Sequence, residues 1–302
     1  MTGRIPAIVN VASGSADEAR KVLEESDAFE VHEVQPDEIS AAIRAAVDGG
    51  AKRILVSGGD GTIATAATEL LNTHAELAIL PGGTLNHFAR DLGVSTEAAE
   101  ALTLAVEGDC RGVDVGAVNG RVFLNTSSVG AYVRFVRIRE RLERRFGYRI
   151  ASAIAALRIL FQLRSFAVEV EVEGELRIYR TPLVFIGVGE RELQLPTLGK
   201  RVSDGQRGLH VMVVRGRSRA RVLALALSAV ARGVDAVAST PELDSFVVDR
   251  CRITLRRPTA VAIDGELVAM RDTLEYALHR DALHVVCPPP EVKEENIEEA
   301  RA

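Results

Sequence analysis

The chain has no tryptophan, and aromatic residues make up only 4% of its 302 residues. A surface that holds single-stranded nucleic acid needs aromatic side chains on which bases stack, so that function class has little support. Positive charge is also missing in bulk. Lys and Arg number 37 against 42 acidic residues, for a formal net charge of −5, which leaves no global electrostatic case for nucleic acid. The three cysteines, Cys110, Cys251 and Cys287, are scattered without a CxxC pair. That pattern argues for a reducing compartment and against structural zinc. No run approaches the ~18 uncharged apolar residues of a membrane-spanning helix, and the N-terminus enters a strand without the apolar stretch of a signal peptide. The expected location is cytoplasmic. There are no internal repeats and no low-complexity segment.

What remains is ordinary for a globular protein, with 47% hydrophobic and 26% charged residues. The length is comfortable for two domains. Residues 4–110 alternate strand and helix signals: strands at Ile5–Asn10, Phe29–Val34, 53–57 and 77–80, and helices from Ala16 to about Glu25, over Pro36–Val47, and over 62–73 and 95–107. Ser15-Ala16-Asp17-Glu18 reads as a capping box opening the first helix. This order predicts an α/β domain with a doubly wound, mostly parallel sheet, and in such sheets ligands bind beyond the carboxyl ends of the strands.

From about Arg111 the pattern turns to hairpins. Asn119-Gly120 is a type I′ turn signal between Gly112–Val118 and Arg121–Ser127. Further strands are expected at Phe166–Val172, Leu176–Tyr179, Leu183–Val188, Leu209–Val214, Phe246–Leu255, Ala260–Ile263 and Thr273–Leu278, interrupted by helices over 131–163 and 219–232. The expected domains are residues 1–112, to which residues 284–302 return, and residues 113–283, a mainly antiparallel, sandwich-like β domain. The charged tail 291–302 reads as a frayed helix or disorder.

The most informative stretch is Gly58-Gly59-Asp60-Gly61-Thr62, set between an apolar strand and a helix. Glycines at such a turn let backbone approach a ligand and expose N–H groups at a helix N-terminus, a favourable place for phosphate. The carboxylate of Asp60 repels bare phosphate and makes sense beside Mg²⁺ or a polarised hydroxyl. A second turn of the same kind, Pro81-Gly82-Gly83-Thr84-Leu85-Asn86-His87-Phe88-Ala89-Arg90, follows the next apolar run.

This pair of motifs resembles the diacylglycerol kinase catalytic-domain family, which includes bacterial lipid kinases and, more distantly, sphingosine kinases. Asn10-Val11-Ala12-Ser13-Gly14 is similar to that family's first-strand turn, with Val11 in place of proline, and Ile263-Asp264-Gly265-Glu266 to its late D-G-E motif. The resemblance implies ATP and Mg²⁺ as cofactors and transfer of the γ-phosphate to a hydroxyl of diacylglycerol or a related membrane lipid. It implies nucleotide contacts from Asn10, Ser13, Gly14, Gly58, Gly59, Asp60, Gly61, Thr62, Gly82, Gly83, Thr84 and Asn86. Asp60 is expected to manage Mg²⁺, joined by Asp114, and Asp204 is the candidate for a regulatory metal. The general base is expected to be Glu266 or Asp264. Two positions depart from the family pattern: His87 follows Asn86 where an acid is common, and Val34-Gln35 stands where a nucleotide-contacting Thr is usual.

The stretch Arg134–Arg149 gathers arginines relieved only by Glu140 and Glu143, and the segment after it is strongly apolar. It reads either as a solvated helix followed by a buried one, or as an element that meets an anionic membrane surface. The second reading implies peripheral association with the inner face of the membrane. A homodimer is compatible with the sequence. Two other functions remain open at this stage. An NAD kinase-like phosphotransferase would act on a soluble acceptor, and a non-catalytic nucleotide- or lipid-binding module would bind ATP without consuming it.

Overall fold

The computed structural model describes residues 4–161, 164–193, 198–202, 205–215 and 243–289. The chain divides into two compact units, Met1–Val113 with Leu283–Ala302, and Asp114–Ala282.

The first unit runs β1 (Ile5–Asn10), α1 (Ala16–Glu24), β2 (Phe29–Val34), α2 (Ile39–Asp48), β3 (Arg53–Gly58), α3 (Asp60–Leu70), β4 (Glu76–Pro81), α4 (His87–Asp91) and α5 (Ala98–Glu107). Its strands lie in the order β2-β1-β3-β4, every pair parallel. His284 and Val285, at the end of a long strand that returns from the second unit, pair parallel to β4. Strands β1, β3 and β4 are largely apolar on both faces because helices cover both, whereas the edge strand β2 alternates apolar with polar residues. Val9, Leu55, Ala78 and Leu80 form one core with Leu23 of α1 and Ala101, Leu102 and Ala105 of α5. The alternate residues Ile8, Ile54, Val56, Leu77 and Ile79 turn the other way and are equally buried, and α2 and α3 pack against these strands.

Two local expectations change. Ser15 makes no side-chain cap on α1; its hydroxyl is spent on the carbonyl of Gly82 instead. Helix α2 opens at Ile39, not at Pro36, because Gln35 and Glu38 form a turn in which the Gln35 N–H donates to Glu38 Oε2 at 2.9 Å.

In the second unit, β5 (Cys110–Val118), which begins in the first, leads to β6 (Arg121–Phe123), β7 (Thr126–Gly130) and α6 (Ala131–Phe161). Strands β8 (Phe166–Val172), β9 (Glu175–Thr181), β10 (Leu183–Val188), β11 (Arg191–Leu193), β12 (Leu198–Arg201), β13 (Leu209–Val214), β14 (Leu243–Val248), β15 (Arg250–Leu255), β16 (Thr259–Ile263), β17 (Glu266–Met270) and β18 (Thr273–Val286) follow. One antiparallel sheet has the order β14-β13-β10-β7-β16-β17, and the run β18-β15-β8-β9 forms a second layer. Phe123, Val170, Ile186, Val211, Ile253 and Leu274 belong to one core fed by both layers. The fold is thus an α/β parallel-sheet unit plus an antiparallel β sandwich.

Asn119 and Gly120 both take positive φ, 49° and 80°, as a type I′ turn requires. The expected strand over 121–127 breaks at Leu124 and Asn125, whose amides donate to a side chain described below rather than to a ladder. The expected strand Phe246–Leu255 is two strands, because the chain passes from one sheet to the other at Asp249. Helix 131–163 carries a sharp break at Gly147. The expected helix 219–232 and the tail 291–302 lie outside the described residues.

One residue ties the first unit together. Arg53 donates from Nε to Glu76 at 2.7 Å and from its terminal nitrogens to the carbonyls of Ala105, Val106 and Gly108 at 2.8, 3.1 and 3.0 Å. Those carbonyls are the orphan acceptors at the end of α5. Arg53→Met is expected to cost about 1–3 kcal/mol, since charge-assisted bonds are lost and partly buried acceptors are left open. Urea unfolding should show a lower midpoint with the same slope; an unchanged midpoint would contradict the role.

Candidate active site

The ends of β1, β3 and β4 lie side by side, with Gly58 in register with Pro81. The turns that follow them are bolted to one another. The Gly82 N–H donates to the Gly58 carbonyl at 2.8 Å. The hydroxyls of Ser13 and Ser15 donate to the Gly82 carbonyl at 2.7 and 3.1 Å. Asn10 Nδ2 donates to Thr62 Oγ1 at 2.8 Å, and Asn10 Oδ1 accepts from the Ala12 amide at 3.0 Å. A Cβ added to Gly83 would lie 2.6 Å from the Cα of Gly59. The two glycine motifs therefore touch backbone to backbone, and only glycine permits that approach.

Helix α3 begins at Asp60 behind an extended N-cap, Gly59, and no side chain caps it. Its first internal bond runs from the Ile63 N–H to the Gly59 carbonyl, so the N–H groups of Asp60, Gly61 and Thr62 precede the internal ladder. Gly61 is exposed and Asp60 half-buried. The Asp60 carboxylate makes one long contact, accepting from the Phe88 N–H at 3.4 Å. This is an eleven-residue helix with open donors and a carboxylate in its first turn, an arrangement suited to phosphate accompanied by a cation.

The other expected contact residues divide by what they already do. Asn86 sits in the left-handed region and spends both ends of its amide on Gly83, at 2.9 and 2.8 Å. Asn86, Asn10 and Ser13 build the turns, while Gly14, Thr84 and His87 are exposed beside them. Ser15 was legible only as a helix cap; the signal for its actual role is a second hydroxyl two residues beyond Ser13. Among the described residues no three His, Cys, Asp or Glu side chains gather as a metal cage. Mg²⁺ does not need one, since it is commonly held by one or two carboxylates with substrate phosphates and water. Asp60 fits that requirement.

In the second unit, Asp264 and Gly265 form the tight turn between β16 and β17, with φ of 44° and 87°. The Asp264 carboxylate is turned inward. It accepts from the amides of Leu124, Asn125 and Thr126 at 2.7, 2.9 and 2.9 Å. Burial pushes this carboxyl above its ordinary range, while the three amides pull it back. Glu266 points the other way: its side chain is 64% exposed, and the nearest cation is Arg121 at 3.7 Å.

Asp114 is buried on β5. Its carboxylate is gripped by the guanidinium of Arg207, with Nε at 2.9 Å and a second, shorter contact, and it accepts from the Asp281 N–H at 3.0 Å. Arg207 also reaches Asp281 at 2.7 Å. Arg207 lies far from Asp114 in the chain, and no local pattern announces the pairing. Asp204 lies outside the described residues.

A parallel sheet whose adjoining turns offer open helix N–H groups and one carboxylate is an α/β arrangement suited to a phosphate-bearing ligand. Residues 4–118 match the family model of the diacylglycerol kinase catalytic domain. The diacylglycerol kinase of Bacillus subtilis (strain 168) is 27% identical over 243 residues, covering 78% of this chain and 77% of its own length. A YegS-like lipid kinase of Pseudomonas aeruginosa (strain UCBPP-PA14) is 42% identical over 90 residues, but these span only 29% of this chain and 30% of that protein. Among solved structures, one described as a candidate diacylglycerol kinase from Bacillus anthracis str. Sterne superposes with a TM-score of 0.76 at 21% identity, covering 96% of this chain and 98% of its own. A diacylglycerol kinase structure from the same organism gives a TM-score of 0.68 at 19% identity, with the same coverage. At these identities the likeness speaks to the fold.

Two predictions arise from this geometry. Gly83→Ala should force the two turns apart, cost about 1–3 kcal/mol as overpacking does, and lower the melting temperature. A wild-type melting temperature would show that the turns need not touch. The second concerns Asp114. Burial raises its carboxyl, but the Arg207 guanidinium and the Asp281 amide outweigh that and hold it below the ordinary carboxylate value. Its contribution to stability is therefore present above the unfolded value near ~3.9 and is lost as pH falls through the lower folded value. Asp114→Asn should cost about 1–3 kcal/mol at neutral pH, and the gap to wild type should close in acid. A gap that stays constant from neutral to strongly acid pH would contradict the pairing.

Proposed function

We propose that the protein is an ATP-dependent lipid kinase that phosphorylates a hydroxyl of diacylglycerol or a related membrane lipid. The observation that carries this reading is the pair of glycine turns in backbone contact beside an uncapped helix N-terminus bearing Asp60. The kinase family supports ATP as donor, and 78% coverage by the Bacillus subtilis diacylglycerol kinase supports a lipid acceptor.

In this reading the N–H groups at the start of α3 and the Gly82–Gly83 turn bind phosphate oxygens, and Asn10, Ser13 and Asn86 keep the turns rigid so that no reorganisation accompanies the reaction. Asp60 would hold Mg²⁺, which supplies charge neutralisation for the phosphates when bound. The acceptor oxygen forms its bond to the γ-phosphorus as the bridging bond to the β-phosphate breaks, and ADP leaves. The acceptor's proton goes to a carboxylate. Glu266 is the base of choice because its oxygens are open, whereas those of Asp264 are engaged by three amides. Asp264 is a positioning residue that sets the turn from which Glu266 projects.

Glu266→Gln should lower kcat ~10²–10⁴-fold, the usual worth of a general base, without changing the melting temperature or ATP affinity. Asp60→Asn should lower turnover by orders of magnitude with the fold intact. Asp264→Asn should lower the melting temperature, because an amide offers only one acceptor oxygen to three donors. Each is read by phosphorylation of lipid in detergent micelles. Near wild-type activity in both Asp60→Asn and Glu266→Gln would sink the mechanism.

A further inference from the structure

Helix α6 is two arms separated at Gly147, which takes φ 73° and ψ 164°. The arm before the break buries Val133 and Val136 against Ala262 of β16, with Leu267 of β17 packed alongside. Its outer face exposes Arg137, Arg141, Arg144 and Arg145. The arm after the break is inverted relative to a helix built for water. Ala151 and Ala155 are fully buried, while Ile150 and Leu157 are 55% and 56% exposed. With the exposed Ala153 they fall at i, i+3 and i+7, a single apolar stripe facing outward. Phe146, at the break, is 41% exposed. No acidic residue occurs between Glu143 and Phe161.

We infer that α6 is an interfacial element that docks on an anionic bilayer, with Arg141, Arg144 and Arg145 meeting headgroups and Phe146, Ile150 and Leu157 entering the apolar boundary. The inference names a partner for the lipid-kinase site proposed above, but docking itself requires no turnover. Charge selects the bilayer over other occupants. The protein as a whole is negative, at −5, so it is repelled by anionic lipid except where positive charge is gathered, and one such place, Arg141 to Arg145, adjoins the outward apolar stripe. Neither signal alone gives firm attachment; a basic patch combined with an inserted apolar group does. Arg139 stands apart from the cluster. It is turned inward, with 13% of its side chain exposed, lies 3.6 Å from Glu143, and stacks over the ring of Tyr148 at 5.3 Å. It ties the basic arm to the apolar arm across Gly147, which holds both signals on one element.

The test is sedimentation without nucleotide, using vesicles of equal parts phosphatidylglycerol and phosphatidylcholine, and vesicles of phosphatidylcholine alone. Wild type should bind the mixed vesicles, and binding should weaken as salt rises from ~0.05 to ~0.5 M. Arg144→Glu with Arg145→Glu should lose about fivefold in partitioning per arginine removed. Ile150→Ser with Leu157→Ser should lose about tenfold or more while keeping the salt dependence. Both double variants should melt like wild type, because the altered side chains are exposed. Unchanged vesicle binding in both would overturn the inference. So would an apolar double variant that alters oligomeric state in analytical ultracentrifugation rather than vesicle binding, since a second copy would then be the occupant. Vesicle binding that follows this pattern in a protein that phosphorylates no lipid would uphold the docking surface and refute the kinase.

Discussion

The architecture of the candidate site depends on one backbone contact: Gly83 lies so close to Gly59 that no side chain fits between them. Adjacent parallel strands β3 and β4 bring their ends within one strand spacing, about 4.8 Å, and the turns after them must pass each other within that distance. Glycine at both positions lets the first turn of α3 stay uncapped by side chains and the second turn fold over it. Once the two are in contact, the hydroxyls of Ser13 and Ser15 can reach Gly82 from the end of β1. The result is a rim of fixed dipoles whose geometry is set by the sheet and not by flexible side chains.

The second unit uses its acids for three different jobs, and the environment of each assigns the job. Asp114 is buried against a guanidinium and is a structural anion. Asp264 gathers three amides in the stretch between β6 and β7 and fixes the β16–β17 turn. Glu266 starts the next strand with its carboxylate in solvent. The same side-chain chemistry is thus divided between carboxylates that hold a shape and one left open to solvent, and hydrogen-bond occupancy is what separates the two.

Much of this was legible in the sequence because it is local. The alternation of apolar runs with helical periods gave the parallel unit, and Asn119-Gly120 marked a tight turn through residues that tolerate positive φ. The glycine turns were visible as motifs, although their mutual contact was not, since it depends on strand register. What failed to show was non-local. The Asp114–Arg207 pair joins residues 93 apart in the chain, the inward turn of Asp264 depends on amides of a distant stretch, and Ser15 is diverted from capping by a carbonyl in the turn after β4. The inverted burial of the second α6 arm was also invisible: an alanine-rich stretch with interspersed Ile and Leu reads as a buried helix, and only packing shows which side chains turn outward.

The central claim concerns the fate of a phosphoryl group. The most direct measurement is to incubate the purified protein with γ-labelled ATP, Mg²⁺ and dispersed membrane lipids, and to identify the labelled product by mass spectrometry. The expected result is a labelled lipid phosphate monoester formed in step with ADP. Label recovered only as inorganic phosphate, or transferred to NAD in place of lipid, would contradict it.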